Sequence, residues 1–345
     1  YIPEVKVTNA DFHQHEFYTA DGTYLDRPPE EITRKFEEIT GIRERRYAQN
    51  GENTSTLAYE AGRRALEDAG CASEEIDGIF VAHNFGDVEA GQHLPDLLPS
   101  MATRVKHYLG IQNPDCIAFD LLYGCPGWIQ GVITAHHYLK AEAGKRYLII
   151  GSETLSRNLD PYDRDAMIFS DGAGACILEQ VNDGLTYTGV LSTVSQTYTQ
   201  EEAYFLHHGK TYHPESSQPD RYVKMNGRRI FEFGLSHVPA AMKKALEKAQ
   251  VPVEELHKVL IHQANAKMDE AIIKRFYKQY RLPVAEGIMP MSIQELGNSS
   301  VATVPTLLDC LMHGKLDGHS AAPGDVLLLT SVGSGMALNA LVYRL

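Results

Sequence analysis

The chain has 345 residues, 43% hydrophobic and 22% charged, with no low-complexity tract, so it is globular and long enough for two half-size units. With 32 basic and 45 acidic residues its net charge is −13, which excludes bulk attraction to nucleic acid or an anionic membrane and requires a local basic patch for any acidic partner. No apolar run approaches the roughly 20 residues of a spanning helix, no signal-peptide pattern opens the chain, and five scattered cysteines without zinc-like pairs suit reduced thiols in the cytosol.

In chain order, YIPEVKVTNA reads as a strand and turn, and Pro29 to Ile39 as a helix. Thr54 to Ala69 is amphipathic, with Leu57, Ala58, Ala61, Ala65, Leu66 and Ala69 on one side. Gly70 ends that helix, and Ile76 to Ala82 reads as a buried strand. Asn84 to Pro99 is a turn-rich insertion. The apolar run Ile117 to Leu122 stops at Gly124, Cys125 and Pro126 follow, and apolar residues recur at helical spacing from Trp128. Pro126 suits a first helical turn, so Cys125 falls where the positive end of a helix dipole is expected to lower a thiol pKa of about 8.5. A small buried cysteine at a packing point is the other reading of these residues taken alone. Ser195 to Tyr222 is polar and aromatic without sustained periodicity, the character of a lid, a pocket wall or a plain surface loop.

The helix-and-strand unit occurs twice. ALEDAGCASEEIDGIFVAHN from Ala65 matches ALEKAQVPVEELHKVLIHQAN from Ala245 at an offset of 180, in register through Glu74/Glu254, Ile79/Val259 and Val81/Ile261. The same offset pairs Gly144–Ser152 with Gly324–Val332, and Cys125 with Pro305. The pattern is that of an internal duplication. Strand and helix alternate, implying parallel sheets covered by helices. Each half ends in a Gly-rich turn between apolar runs, FSDGAGACILE and TSVGSGMALNALVYRL. These glycines suit close backbone approach; a phosphate-binding loop is the sharper alternative, but no helix pattern follows.

Three polar residues stand at the ends of apolar runs. Cys125 closes one in the first half. His262 closes KVLIHQAN in the second half, where its repeat mate is Ala82, and Asn298 sits in ELGNSSVATVP. A thiolate, an imidazole and a carboxamide form a set for acyl transfer: the cysteine can form a thioester, and the other two can donate hydrogen bonds to a carbonyl becoming an enolate.

With these residues the chain resembles the thiolase superfamily, and within it the β-ketoacyl-[acyl-carrier-protein] synthase III family. TGIRERR, GCPGWIQG, GSETLSRNLDPYDR, FSDGAGA, HQAN, GNSSVATVP and GSGMALNALVYRL fall in the family's order and spacing across almost the whole chain. The resemblance implies an α/β thiolase fold of two duplicated βαβαβαββ halves in a five-layered αβαβα architecture. Residues 1–183 would carry the nucleophilic Cys, and 184–345 the His and Asn. It implies a cytoplasmic homodimer that needs no metal or redox cofactor. Its reaction would load an acyl group on Cys125, release CO2 from a malonyl thioester and join the two by Claisen condensation. By motif, His262 and Asn298 would hold the malonyl carbonyl, the backbone N–H groups of Cys125 and Ser334 would form the oxyanion hole, and Arg164 would contact coenzyme A or pantetheine. An acyl carrier protein would dock on the helix after His262, where Lys267, Lys274 and Lys278 form one stripe with Arg275 beside it; a solvated charged face is the alternative.

Departures from the pattern bear on the substrate. Lys35 and Ile39 stand where the family often has a Trp and an Arg that clamp the adenine of coenzyme A, so a carrier-bound or other activated donor gains weight. Tyr123 and Pro126 are bulkier than the residues usual beside this cysteine, and Asn84–Pro99 falls where the family shapes the acyl pocket. Tyr123 and Phe205 are the expected pocket residues. These features suit a natural-product relative of dialkylresorcinol, aryl polyene or polyketide type as readily as a fatty-acid initiator. A non-decarboxylative acyltransferase and a non-catalytic partner subunit are the competing readings within the fold; a papain-like hydrolase has no place for the duplication. The pairs His13/His15, His136/His137 and His207/His208 lack the spacing of a metal site.

Overall fold

The computed structural model describes residues 1–181, 188–217 and 220–345; the expected boundary between the halves, at 183/184, lies outside the described residues. The first half opens with β1 (Val5–Thr8) and α1 (Pro29–Thr40), and β2 (Glu44–Tyr47) returns antiparallel to β1. Then come α2 (Thr54–Asp68), β3 (Gly78–His83), α3 (Met101–Tyr108), β4 (Ile117–Leu122), α4 (Gly127–Lys140), β5 (Arg146–Thr154) and β6 (Asp171–Glu179). The Asn53 side chain starts α2 by accepting the Thr56 N–H. Strands β4-β3-β5-β6 form a sheet in that order, parallel except for β6.

The second half contains β7 (Gly189–Thr197), the hairpin of β8 (Leu206–Gly209) and β9 (Tyr222–Met225), α5 (Gly227–Ala249), β10 (Leu256–Ile261), α6 (Ala266–Lys278), α7 (Ile293–Leu296), α8 (Thr303–Met312), β11 (Val326–Gly333) and β12 (Ala337–Arg344). Its sheet runs β10-β11-β12-β7, with β10 and β11 parallel.

Three apolar clusters explain the layering. α2 and α3 cover the outer face of the first sheet through Leu57, Ala61, Met101 and Val105 on Ile79, Val81, Leu148 and Ile150. α5 and α6 cover the second sheet through Met242, Ala245, Ile272 and Phe276 on Val259, Ile261, Leu328 and Leu338. Between the sheets lie α4 and α8, where Trp128, Ile133, Val304 and Leu307 meet Phe80 and Ile149 on one side and Leu327 and Leu329 on the other. The result is the five-layered αβαβα thiolase fold. β3 and β5 are buried on both faces, which is why they read as continuous apolar runs.

Each of the two large sheets has four strands, one short of the pattern implied by the resemblance. Beside β6 the fifth place is held by Tyr1, which exchanges backbone hydrogen bonds with Ala173. Beside β10 it is held by Ile288, whose carbonyl accepts the Val259 N–H at 2.8 Å. Pro290, two residues on, has no N–H to extend a ladder. The Gly-rich FSDGAGACILE is continuous strand β6, not a phosphate loop. The offset of the repeat is kept from β5 to β11 and then lost, because residues 155–170 separate β5 from β6 while only 334–336 separate β11 from β12. That long first-half excursion contributes to the site.

Candidate active site

β4 delivers Cys125 to the N-terminus of α4, and β11 delivers Gly333 and Ser334 to the same place. Gly124 has φ +68, and a Cβ there would lie 2.9 Å from the Ser334 nitrogen; a Cβ on Gly333 would lie 2.7 Å from the Cys125 nitrogen. Only glycine permits this approach. It sets Cys125 and Ser334 side by side on the wall of a cavity of about 470 Å³.

His262 follows β10 with its backbone N–H on the Thr330 carbonyl at 2.9 Å, and Asn298 docks on the approach to β6, its carbonyl accepting the Ser170 N–H at 2.8 Å. Both are buried. Ser300 meets all three expected residues. Its hydroxyl donates to Cys125 Sγ at 3.3 Å, its N–H donates to Asn298 Oδ1 at 2.8 Å, and its main chain acts on the His262 ring, favouring the protonated form against burial. With Oδ1 occupied by Ser300, the Asn298 amide nitrogen is the end available to a substrate oxygen. Ser300 has φ 53, a left-handed conformation that a non-glycine residue holds only where its surroundings impose it.

The electrostatics correct the expected thiolate. Burial, with a contribution from the Glu153 carboxylate, pushes the Cys125 thiol from 9.0 up to about 11, against the pull of Ser300. At about 1.4 kcal/mol per unit this is roughly 3 kcal/mol, more than the 0.3–1 kcal/mol, at most about 2, of a helix terminus. Cys125 therefore rests as a thiol. Burial likewise lowers His262 to about 4, so its imidazole is neutral at physiological pH, and Nδ1 is buried without a hydrogen-bond partner among the described residues.

Behind the sulfur lies a network whose members are given no role by the sequence motifs. Asn84 donates through its backbone N–H to Glu153 Oε2 at 2.7 Å, and through its amide both to that same oxygen and to Ser300 Oγ, the latter at 3.1 Å. His83 joins Asp120 through Nε2 at 2.9 Å and accepts the Gly86 N–H on Nδ1. Burial raises Glu153 from 4.5 to about 7. A carboxyl raised in the folded state contributes stability that is intact below its unfolded pKa and is lost as pH rises through its folded one. Between near pH 5 and near pH 8, therefore, Glu153→Gln is expected to gain stability relative to the parent, by up to about 3 kcal/mol. Melting curves at the two pH values check this; a parent favoured at the higher pH contradicts it.

Tyr123 lines the cavity, with Phe85, Leu122, Leu155 and Phe169. Phe205 does not. It packs on the second-half core, and the next residues, Leu206, His207 and His208, face the cavity instead. His208 stacks on Phe85 with ring centroids 4.5 Å apart. Segment 195–222 is thus a pocket wall where it forms the β8–β9 hairpin. Buried Lys224 fastens that hairpin to the 155–170 excursion through Asp160 at 2.5 Å and Asp163 at 3.0 Å, with the Tyr212 ring 3.3 Å away. Asn84–Pro99 has no helix or regular strand; paired backbone bonds between Asp87 and Asp96 and the guanidinium of Arg104 on both carboxylates close it.

Arg164 lies in a separate groove of about 930 Å³ whose walls include Lys35, Ile39, Phe36, Arg228 and Phe231. The cations there have carboxylate neighbours on their own elements: Lys35 with Glu31, Arg164 with Asp165, Arg228 with Glu232. On α6, Lys267, Lys274, Arg275 and Lys278 are all exposed, and Arg275 also donates to the Leu235 carbonyl on α5. Among the described residues no group of three or more His, Cys, Asp or Glu could hold a metal, and no helix is long and apolar enough to cross a membrane.

Two duplicated halves in five layers, with a cysteine at the head of a central helix linked through Ser300 to a buried His and Asn, define a thiolase-fold acyltransferase of the condensing type. Sequence comparison agrees: the profile of 3-Oxoacyl-[acyl-carrier-protein (ACP)] synthase III matches residues 119–198, and that of its C-terminal part matches 246–345. The β-ketoacyl-[acyl-carrier-protein] synthase III of Erythrobacter litoralis is 34% identical over 309 residues, 89% of each chain. The crystal structure of the Thermus thermophilus enzyme of that name superposes with a TM-score of 0.80 at 32% identity, over 100% of this chain and 97% of that one. The priming β-ketosynthase of the R1128 polyketide pathway gives 0.80 at 25% identity, over 100% and 93%. The chain belongs to the β-ketoacyl-[acyl-carrier-protein] synthase III family.

Proposed function

We propose that Cys125 takes an acyl group from a thioester donor and that the loaded enzyme condenses it with a malonyl thioester on an acyl carrier protein, releasing CO2 and a β-ketoacyl product. The observation that carries this reading is the convergence on Ser300 of Cys125, His262 and Asn298 from two halves of the chain. A neutral imidazole and an oriented carboxamide are suited to hold a thioester oxygen as it becomes an enolate, and the backbone N–H groups of Cys125 and Ser334 to hold the oxyanion of acyl transfer. Loss of CO2 generates the carbon nucleophile, so the chemistry calls for neither metal nor redox cofactor.

The donor arm would enter along the Arg164 groove. The exposed cations of α6 offer an acidic carrier protein a local basic surface on a chain of net charge −13. The unpaired edge of β4, with Ile117 and Leu122 exposed and Leu94, Leu97 and Leu98 exposed on the 84–99 segment, supports a homodimer through that edge. Five free cysteines fit a reducing cytosol.

Intact-mass screening of acyl-coenzyme A and acyl-carrier donors, followed by malonyl-carrier addition with CO2 detection, tests the proposal. Acyl uptake followed by CO2 and a β-ketoacyl product is the expected result. Uptake with transfer to an acceptor and no CO2 would instead make the protein a non-decarboxylative acyltransferase.

A further inference from the structure

The hydrogen bonds around the nucleophile run in one direction. Glu153 Oε2 accepts the Asn84 backbone N–H whether or not the other carboxyl oxygen carries a proton, so it is the nitrogen end of the Asn84 amide that also faces it. That nitrogen has two protons. One goes to Glu153 and the other to Ser300 Oγ at 3.1 Å. The Ser300 hydroxyl is thereby an acceptor from Asn84, and its single proton is left for Cys125 Sγ, 3.3 Å away. Glu153 and Ser300 are buried, and Asn84 is half-buried where it lines the cavity. The left-handed φ of 53 at Ser300 is held from both sides, by Asn298 on its N–H and by Asn84 on its hydroxyl.

We propose that Ser300 is a further catalytic residue: its hydroxyl, aimed by Asn84 and Glu153, stabilises the Cys125 thiolate that attacks the acyl donor. In that step the Cys125 sulfur forms the new C–S bond, the donor C–S bond breaks, and the departing sulfur takes up the proton given up by Cys125. Ser300 keeps its own proton throughout. Asn84 and Glu153 act through Ser300 and are positioning residues. The assignment rests on Cys125 being the nucleophile.

Other charges face the same group and must be separated from the hydrogen bond. Glu153 on β5 raises the Cys125 thiol; His83 at the end of β3 and Asp171 at the start of β6 act on Glu153; and His262 meets the Ser300 main chain. The carboxylate thus opposes the thiolate while its acceptor oxygen aims the donor that supports it.

The test is the pH profile of Cys125 alkylation by iodoacetamide in the full-length protein, with the modified peptide mapped. Ser300→Gly removes the hydroxyl and suits the local φ, and Ser300→Ala is the second variant. Both are expected to slow alkylation at neutral pH by about 10- to 100-fold and to raise the thiol pKa by about one to two units. Asn84→Leu should move the profile in the same direction by less, and have no further effect in the Ser300→Gly background. Glu153→Gln keeps an acceptor oxygen but drops the charge, and should lower the thiol pKa. An unchanged profile in folded Ser300→Gly, or an Asn84→Leu effect that persists without the hydroxyl, overturns the proposal. A parent that shows the expected alkylation profile yet loads no acyl group overturns the reading of the activity rather than this assignment.

Discussion

Cys125→Ala is expected to take up no acyl group from any thioester, whereas His262→Ala should load Cys125 and then stall. The first loss should reach at least about 10⁴-fold in turnover, because no other group in the cavity replaces a covalent nucleophile. Four other free cysteines exist, but none of them lines the cavity. The second variant separates the half-reactions. Among the described residues the hydrogen bond to the sulfur comes from Ser300, not from the His262 ring, which meets the main chain of Ser300 and is kept neutral by burial that lowers it to about 4. The ring is available as a neutral partner for a thioester oxygen, not as an imidazolium acid. Loading of His262→Ala should therefore stay within about tenfold of the parent, while CO2 release falls by about 10²- to 10⁴-fold. Intact mass reports loading, and labelled malonyl thioester reports CO2. Residual acylation of Cys125→Ala at the parental rate would remove Cys125 from its assigned role, and a His262→Ala variant that cannot load would place the imidazole in the first half-reaction.

Much of this was legible in the sequence because duplication writes the fold twice. Ile79/Val259 and Val81/Ile261 keep one register, and strands buried on both faces leave continuous apolar runs that composition alone exposes. The proposed trio was legible for a related reason: His262 interrupts a repeat at which the first half has Ala82. What did not show was anything depending on burial rather than position. The helix terminus at Cys125 predicts a low thiol pKa, but burial of the thiol outweighs the dipole, and no spacing rule reports that. Glu153 lies in the motif that begins GSETL and Asn84 in HNFGD, neither of which assigns these side chains a role, and they become a unit only when β3 and β5 pair in parallel and bring their C-terminal ends together. The one local clue was an acid three residues after the apolar run that ends at Ile150. Phe205 went to the wrong face for want of a strand register: β8 begins at Leu206, and the hairpin presents Leu206, His207 and His208 to the cavity.

Gly333→Ala is expected to cost about 10²- to 10³-fold in acyl transfer with the nucleophile itself intact. The added methyl would lie 2.7 Å from the Cys125 nitrogen and 2.9 Å from its Cβ, and 2.7 Å from Pro126 Cδ, all of them backbone or rigid ring atoms that cannot swing aside. Relief requires the Gly333–Ser334 turn to separate from the Gly124–Cys125 turn. An oxyanion hole made of the Cys125 and Ser334 N–H groups works only with both donors about 3 Å from one oxygen, so a shift of a few tenths of an ångström weakens both bonds at once. The sulfur, held by Ser300 from the other side, would remain alkylatable. The expected signature is therefore a large fall in acylation by thioesters with iodoacetamide reactivity within about tenfold of the parent. Gly234→Ala serves as the control: its Cβ meets nothing closer than 3.4 Å, the sulfur of Met268, and it lies inside α5, where alanine favours the helix. Parallel losses of acylation and alkylation in Gly333→Ala would mean that the turn supports the cysteine itself. A variant that acylates at the parental rate would show that the close approach of the two turns is packing alone.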